Sequence, residues 1–223
     1  MPFKKHPYLL LTLLLLSPLL HAQLNTFGMS VKKSGSGEQA ILLIPGLGCS
    51  GDVWSSTKQK LKNEYTCYVI TMPGFAKVKP QSNPSFTNYV ELLAKFIQEN
   101  HIQKPVVIGH SLGASLTLAL ASEHPDLVSK IVVVDALPFL LALHDSTAQP
   151  NPSECEQDVK ETMSLNKDEF HKMMKKNVWR LAADTSAQKD VVAWAVDSDR
   201  STFAHLHCDL TNTDLRGGLS AIT

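Results

Sequence analysis

Residues Gly109-His110-Ser111-Leu112-Gly113 follow the apolar run Pro105-Val106-Val107-Ile108 and precede residues 114–121, which are composed as a helix. A helix that turns back hard against its own strand leaves no room for a Cβ two residues to either side of the turn. Glycine at 109 and 113 meets that demand. The spacing predicts a sharp strand-to-helix turn with Ser111 in a strained backbone conformation and its hydroxyl exposed. A serine held in this way is a candidate nucleophile. An ordinary glycine-rich surface turn would carry the same letters, but not the strand before it and the helix after it.

Three more short apolar runs share the character of the one before Gly109. They are Gln39-Ala40-Ile41-Leu42-Leu43-Ile44, Tyr65-Thr66-Cys67-Tyr68-Val69-Ile70 and Ile131-Val132-Val133-Val134. Each is apolar at successive positions, as parallel strands covered on both faces are. Helical patterns alternate with them over 52–62, 87–100 and 112–123. Strand–helix alternation predicts a doubly wound, mostly parallel α/β sheet. After Pro138 the rhythm changes. A proline-bearing loop leads into about 70 residues patterned as four helices, a lid-like insertion over about 138–210. Ser153 with Glu156, and Asn166 with Glu169, have capping-box spacing, and Leu165 against Phe170 would staple the second of those helices.

The first 22 residues read as a targeting segment. Lys4 and Lys5 precede an apolar stretch too short to span a bilayer comfortably, and Ala22 provides a small residue for cleavage. An uncleaved anchor is the competing reading. Removing residues 1–22 leaves 19 basic against 21 acidic side chains, a balance with no electrostatic footprint for nucleic acid or anionic membranes. The expectation is an exported chain, periplasmic or secreted, with one domain over 23–223. No stable membrane association is expected after cleavage. An oxidising compartment permits disulfides. Cys155 and Cys208 lie in the same helical region and could pair, while Cys67 reads as a small apolar filler. No spacing resembles a metal site, and no cofactor is implied.

Acyl transfer needs N–H donors aimed at the oxygen that becomes negative. The backbone N–H of Leu112, next to the serine, is one. The loop after the first apolar run contains Gly46-Leu47-Gly48, where the Leu47 N–H is the nominated second donor. A plain strand-to-helix turn would also favour glycine there.

These blocks resemble the α/β-hydrolase family. The resemblance rests on residues 45–54, on Met72-Pro73-Gly74-Phe75-Ala76, on residues 109–113 and on residues 131–135. It covers residues 39 to about 139, and the helical insertion more loosely. The first block looks like the oxyanion loop of esterase-like members, with Pro45 where His is common. The second begins with Thr71 where Asp is usual. The resemblance implies an acid and then a histidine after the nucleophile, each following a later strand. Residues 211–223 look like the approach to such a strand, so the last strands of the sheet, with the usual acid and base, are expected to be missing. Asp135 stands where some lipases of this fold keep their acid, although an Asp there more often caps a turn. His205 and His207 are the late candidates for a base, although plain polar helix residues read the same. His110 is expected to line the site without deprotonating Ser111.

The sequence therefore points to a serine hydrolase of esters or related acyl substrates, weak or inactive as this chain. A non-catalytic binding or receptor-like member of the same fold is the alternative. A lid carrying Met163, Met173, Met174, Trp179 and Trp194 would give the site an apolar pocket for a small acyl substrate. The exported protein is expected to begin at Gln23, and the intact mass of secreted material checks this. Full-length chain held in the membrane would favour the anchor.

Overall fold

The structure, a computed structural model, describes residues 24–181 and 183–222. The targeting segment expected at 1–22 lies outside the described residues. Among the described residues five strands and seven α-helices follow in chain order: β1 (Ser30–Ser34), β2 (Ala40–Ile44), α1 (Ser55–Leu61), β3 (Thr66–Thr71), α2 (Phe86–Glu99), β4 (Val106–His110), α3 (Leu112–Glu123), β5 (Lys130–Val134), α4 (Pro152–Ser164), α5 (Lys167–Leu181), α6 (Thr185–Val196) and α7 (Arg200–Asn212). They form one sheet in the order β1-β3-β2-β4-β5. Strands β2 to β5 are parallel, and β1 runs antiparallel to β3.

The pleat sorts the core. Leu42, Ile44, Tyr68, Ile70 and Val107 face α2 and α3 in the main cluster, while Ile41, Leu43 and Val69 face Trp54 and Leu61 on the other side. Helix α2 shows why the sequence folds this way. Phe86, Tyr89, Val90, Leu93, Phe96 and Ile97 recur at helical spacing and are buried. Each such side chain contributes roughly 1.5–3 kcal/mol of transfer free energy. Ser85 caps the helix by accepting from the Asn88 N–H at 3.2 Å.

The apolar runs become strands with small shifts of boundary, but two differences have physical causes. The sequence reading contains no strand at 30–34. Ser-Val-Lys-Lys-Ser has no apolar run because β1 is an edge with exposed lysines, a composition that guards edges against further pairing. Strand β5 is not covered on both faces as expected. It is the opposite edge, and Val132, Val133 and Val134 are 44%, 37% and 37% exposed. Nor does the described chain form a strand after α7. Residues 216–221 make a 3₁₀ turn against α3, where Ser122 donates to the Gly218 carbonyl at 2.9 Å.

The insertion is helical, as patterned, with one corrected cap. Asn151, not Ser153, caps α4 by accepting from the Glu154 N–H, and Ser153 lies inside the helix. The second box forms. Glu169 accepts from the Asn166 N–H at 2.8 Å, and Asn166 accepts from the N–H groups of Asp168 and Glu169. Phe170, Met174, Val178, Val192, Ala195 and Phe203 make the insertion's own core, with Leu165 against it. Arg200 stacks on Phe170 at 3.7 Å and donates to the Leu165 carbonyl at 2.9 Å. Cys155 on α4 is bonded to Cys208 on α7, and Cys67 is a fully buried filler in β3.

That disulfide closes 53 residues of sequence. Replacing both cysteines by Ser is expected to cost roughly 2–4 kcal/mol, read from urea midpoints. Cys49, whose thiol burial pushes up to about 12, is expected to stay inert to thiol reagents until the chain unfolds.

Candidate active site

The chain runs from β2 outward to β3, then crosses back over β2 to β4 and on to β5. The direction of winding therefore reverses between β2 and β4. Loops leaving the carboxyl ends of two such strands diverge and leave a crevice, where ligands of open α/β sheets bind. Here the two loops are the one after Ile44 and the turn at Ser111.

Ser111 has φ +52° and ψ −120°, a region that non-glycine residues rarely occupy. The turn's neighbours enforce it. A Cβ on Gly109 would stand 2.1 Å from the Gly113 carbonyl oxygen, and one on Gly113 would stand 2.4 Å from that of Ile44. The Ser111 N–H donates to the Val134 carbonyl at 3.0 Å, and its own carbonyl accepts from Ala114 and Ser115 at the start of α3. The serine remains partly exposed while α3 behind it is buried through Ala121.

The loop after β2 faces this serine. A Cβ on Gly46 would come 3.3 Å from that of Ser111 and 3.2 Å from His110 Nδ1. The Cys49 N–H closes a turn onto the Gly46 carbonyl at 3.1 Å, and Gly48 takes φ +69° at its third position. Among the described residues, neither the Leu47 N–H nor the Leu112 N–H finds a backbone acceptor. The arrangement can receive an anionic oxygen.

The insertion is fastened to these loops. Ser198 Oγ accepts from the Ala76 N–H at 3.0 Å and donates to the Gly48 carbonyl at 3.3 Å or the Trp194 carbonyl at 2.8 Å. The Asp199 N–H donates to the Gly74 carbonyl at 2.7 Å. Phe203 closes over Gly48, and a Cβ there would lie 2.9 Å from its ring. Sequence reasoning missed Ser198, since a serine between two helices carries no distinguishing pattern.

The remaining candidates separate. Asp135 follows β5 with φ +51°, exposed, and its charge reaches His110. His205 is exposed on α7 with Nδ1 2.8 Å from the Ser201 carbonyl, and His207 is exposed beside Asp158. Among the described residues no hydrogen bond reaches the Ser111 hydroxyl. Of the lid residues expected around a pocket, Met174 is in the insertion's core with Met173 beside it, while Met163 and Trp179 face solvent. The described residues do hold a group with metal-ligand chemistry, Glu91, Glu123 and His124, away from the serine between α2 and the end of α3.

The profile of the alpha/beta hydrolase fold matches residues 39–218. The chain belongs to that family. It is 31% identical over 117 residues to a pimeloyl-[acyl-carrier protein] methyl ester esterase of Vibrio cholerae, a match covering 52% of this chain and 44% of the relative. The chain thus spans less than half of that relative's length. Its fold is similar to an esterase from Exiguobacterium antarcticum, with TM-score 0.75, 20% identity and coverage of 87% of this chain and 74% of the other. It is also similar to an enol-lactonase from Burkholderia xenovorans, with TM-score 0.73, 13% identity and the same coverages. At these identities the two structures speak for the fold alone.

Burial holds the His110 ring below its ordinary 6.5, and Asp135 works against that shift. A depressed folded-state pKa means that the neutral ring's contribution is complete above about pH 6.5 and is lost as pH falls through the lowered value. The urea midpoint of the wild type is therefore expected to fall more steeply below pH 6.5 than that of His110→Gln.

Proposed function

We propose that this alpha/beta hydrolase acts on an ester or related acyl substrate, with Ser111 as nucleophile. The observation that carries the reading is the positive φ of Ser111, enforced by Gly109 and Gly113 and aimed at the Gly46 loop. Ser111 Oγ would add to the acyl carbonyl. The oxygen that becomes negative would rest on the Leu47 and Leu112 N–H groups, which carry no competing backbone bond among the described residues. Loss of the alcohol would leave an acyl-serine for water to cleave. The methyl ester esterase relative supports an ester as the substrate class.

A serine is a weak nucleophile until a base takes its proton. His205 is bonded to the Ser201 carbonyl, His207 is exposed beside Asp158, and among the described residues no hydrogen bond reaches the Ser111 hydroxyl. The 223-residue chain is therefore a weak hydrolase in this reading, which is also what keeps a binding role as the second reading. Export to an oxidising compartment accords with the Cys155–Cys208 bond.

Two measurements test the assignment. A small alkylboronic acid becomes tetrahedral when the serine oxygen adds to boron and the hydroxyl proton passes to buffer, with the two N–H donors holding a boronate oxygen. Its tetrahedral boron resonance is expected with wild type and absent with Ser111→Ala; no resonance in either protein would remove Ser111 from the chemistry. On p-nitrophenyl esters both proteins are expected to stay at the residual level left by oxyanion binding alone, at most about 10³–10⁴ over water. Robust turnover lost in Ser111→Ala would instead show that the chain carries its own base, and Asp135→Ala, His205→Ala and His207→Ala would locate it.

A further inference from the structure

Helix α5 has two faces. Phe170, Met174 and Val178 point into the insertion's core. On the opposite side Lys172, Lys175, Lys176 and Trp179 follow at intervals of three, one and three residues, which brings them onto a single stripe. All four are exposed, and Arg180 continues the stripe at the helix end. Trp179 is 73% exposed, the most exposed of the large apolar side chains among the described residues. No ion pair joins Lys172, Lys175, Lys176 or Arg180 to a carboxylate among the described residues. The acids of α5 stand in its first turn, and Glu169 is occupied there by the Asn166 N–H.

A solvated helix face would account for lysines. Attraction to the helix dipole would account for cations in the last turn, but that effect fades within a turn, and Lys172 lies more than two turns from the end. Neither accounts for an indole left in water among them. Tryptophan beside lysine is the composition of side chains that rest at a lipid headgroup layer, where the ring meets the apolar boundary and the long stems carry charge to the phosphates. The stripe is convex. A peptide partner needs a groove or a free strand edge, and a flat anionic surface needs neither. The near-zero net charge of the chain does not reveal this face, which carries four of the 21 basic side chains, with Asp168 and Glu169 in the turn before them.

We propose that the outer face of α5 docks the protein reversibly on an anionic phospholipid surface, through Lys172, Lys175 and Lys176 with Trp179 at the headgroup level. The inference is independent of the chemistry assigned to Ser111. Docking through α5 would bring the helices that close over the Gly46 loop next to the membrane.

The test uses the full chain carrying Trp54→Phe and Trp194→Phe, so that Trp179 is the sole tryptophan. It is mixed with vesicles rich in phosphatidylglycerol or made of phosphatidylcholine alone. Stronger binding is expected to the anionic vesicles, the excess weakens with salt, and brominated lipid quenches Trp179. Each lysine near such a surface is worth about fivefold in partitioning, so Lys172→Gln/Lys175→Gln/Lys176→Gln should lower it on the order of 100-fold. Residues 1–23 are present in every protein compared, so the binding they supply is a common background, and the quantity compared is the excess on anionic over phosphatidylcholine vesicles. The triple Lys→Arg variant must bind as wild type does, which separates charge from folding, and circular dichroism checks each variant. Equal partitioning of the triple-Gln variant, an unquenched Trp179, or preference for soluble polyglutamate over the vesicles would each overturn the proposal.

Discussion

The approach of α3 to its own strand and to β2 controls the rest of the molecule. Gly113 sits where a Cβ would fall 2.4 Å from the Ile44 carbonyl and 2.5 Å from that of Pro45. Backbone cannot yield there as the tip of a flexible side chain would. This closeness lets α3 lie flat on the sheet, with residues from Leu112 to Ala121 buried. It also holds the Ser111 turn against the Gly46 loop, and it drives Ser111 into a backbone conformation that costs of order 1–3 kcal/mol. The strain persists because hydrogen bonds to Val134, Ala114 and Ser115 over-determine the turn.

The insertion works as a roof tied to the sheet's loops. Ser198 links the loops after β2 and β3, Asp199 and Thr202 press on Gly74, and Asp209 accepts from the Phe86 N–H at 2.8 Å at the start of α2. Burial raises the Asp209 carboxyl, and the Phe86 bond partly offsets that shift. The disulfide fastens α4 to the same helix that carries these contacts. The geometry of the Gly46 loop therefore depends on residues about 150 positions later in the chain, through hydrogen bonds that no local pattern announces.

The two edges of the sheet contrast. Strand β1 ends the sheet with lysines and little apolar surface. Strand β5 ends it with three exposed valines, and its outer backbone groups have no strand beside them among the described residues. Asp135 follows directly, its position set by the register that pairs His110 with Val134.

The Gly-x-Ser-x-Gly spacing and the four apolar runs made the parallel sheet, the turn at Ser111 and the loop opposite it legible from the sequence, because each is dictated by local sterics or by burial on both faces of a strand. The Asn166 cap was legible for the same local reason, whereas the sequence only allowed Cys155 to pair with Cys208 across 53 residues, and the packing of α4 on α7 brings them together. Strand β1 was not, since an exposed edge needs no apolar pattern. The cap of α4 went to Asn151 and not to Ser153 because Pro152 favours the first helical position. Only the tertiary structure placed Ser198 between two loops, turned His205 and His207 outward, and left Trp179 among lysines in solvent. Those outcomes depend on which face of each helix packs inward, and a helix shows its faces only when its neighbours are in place.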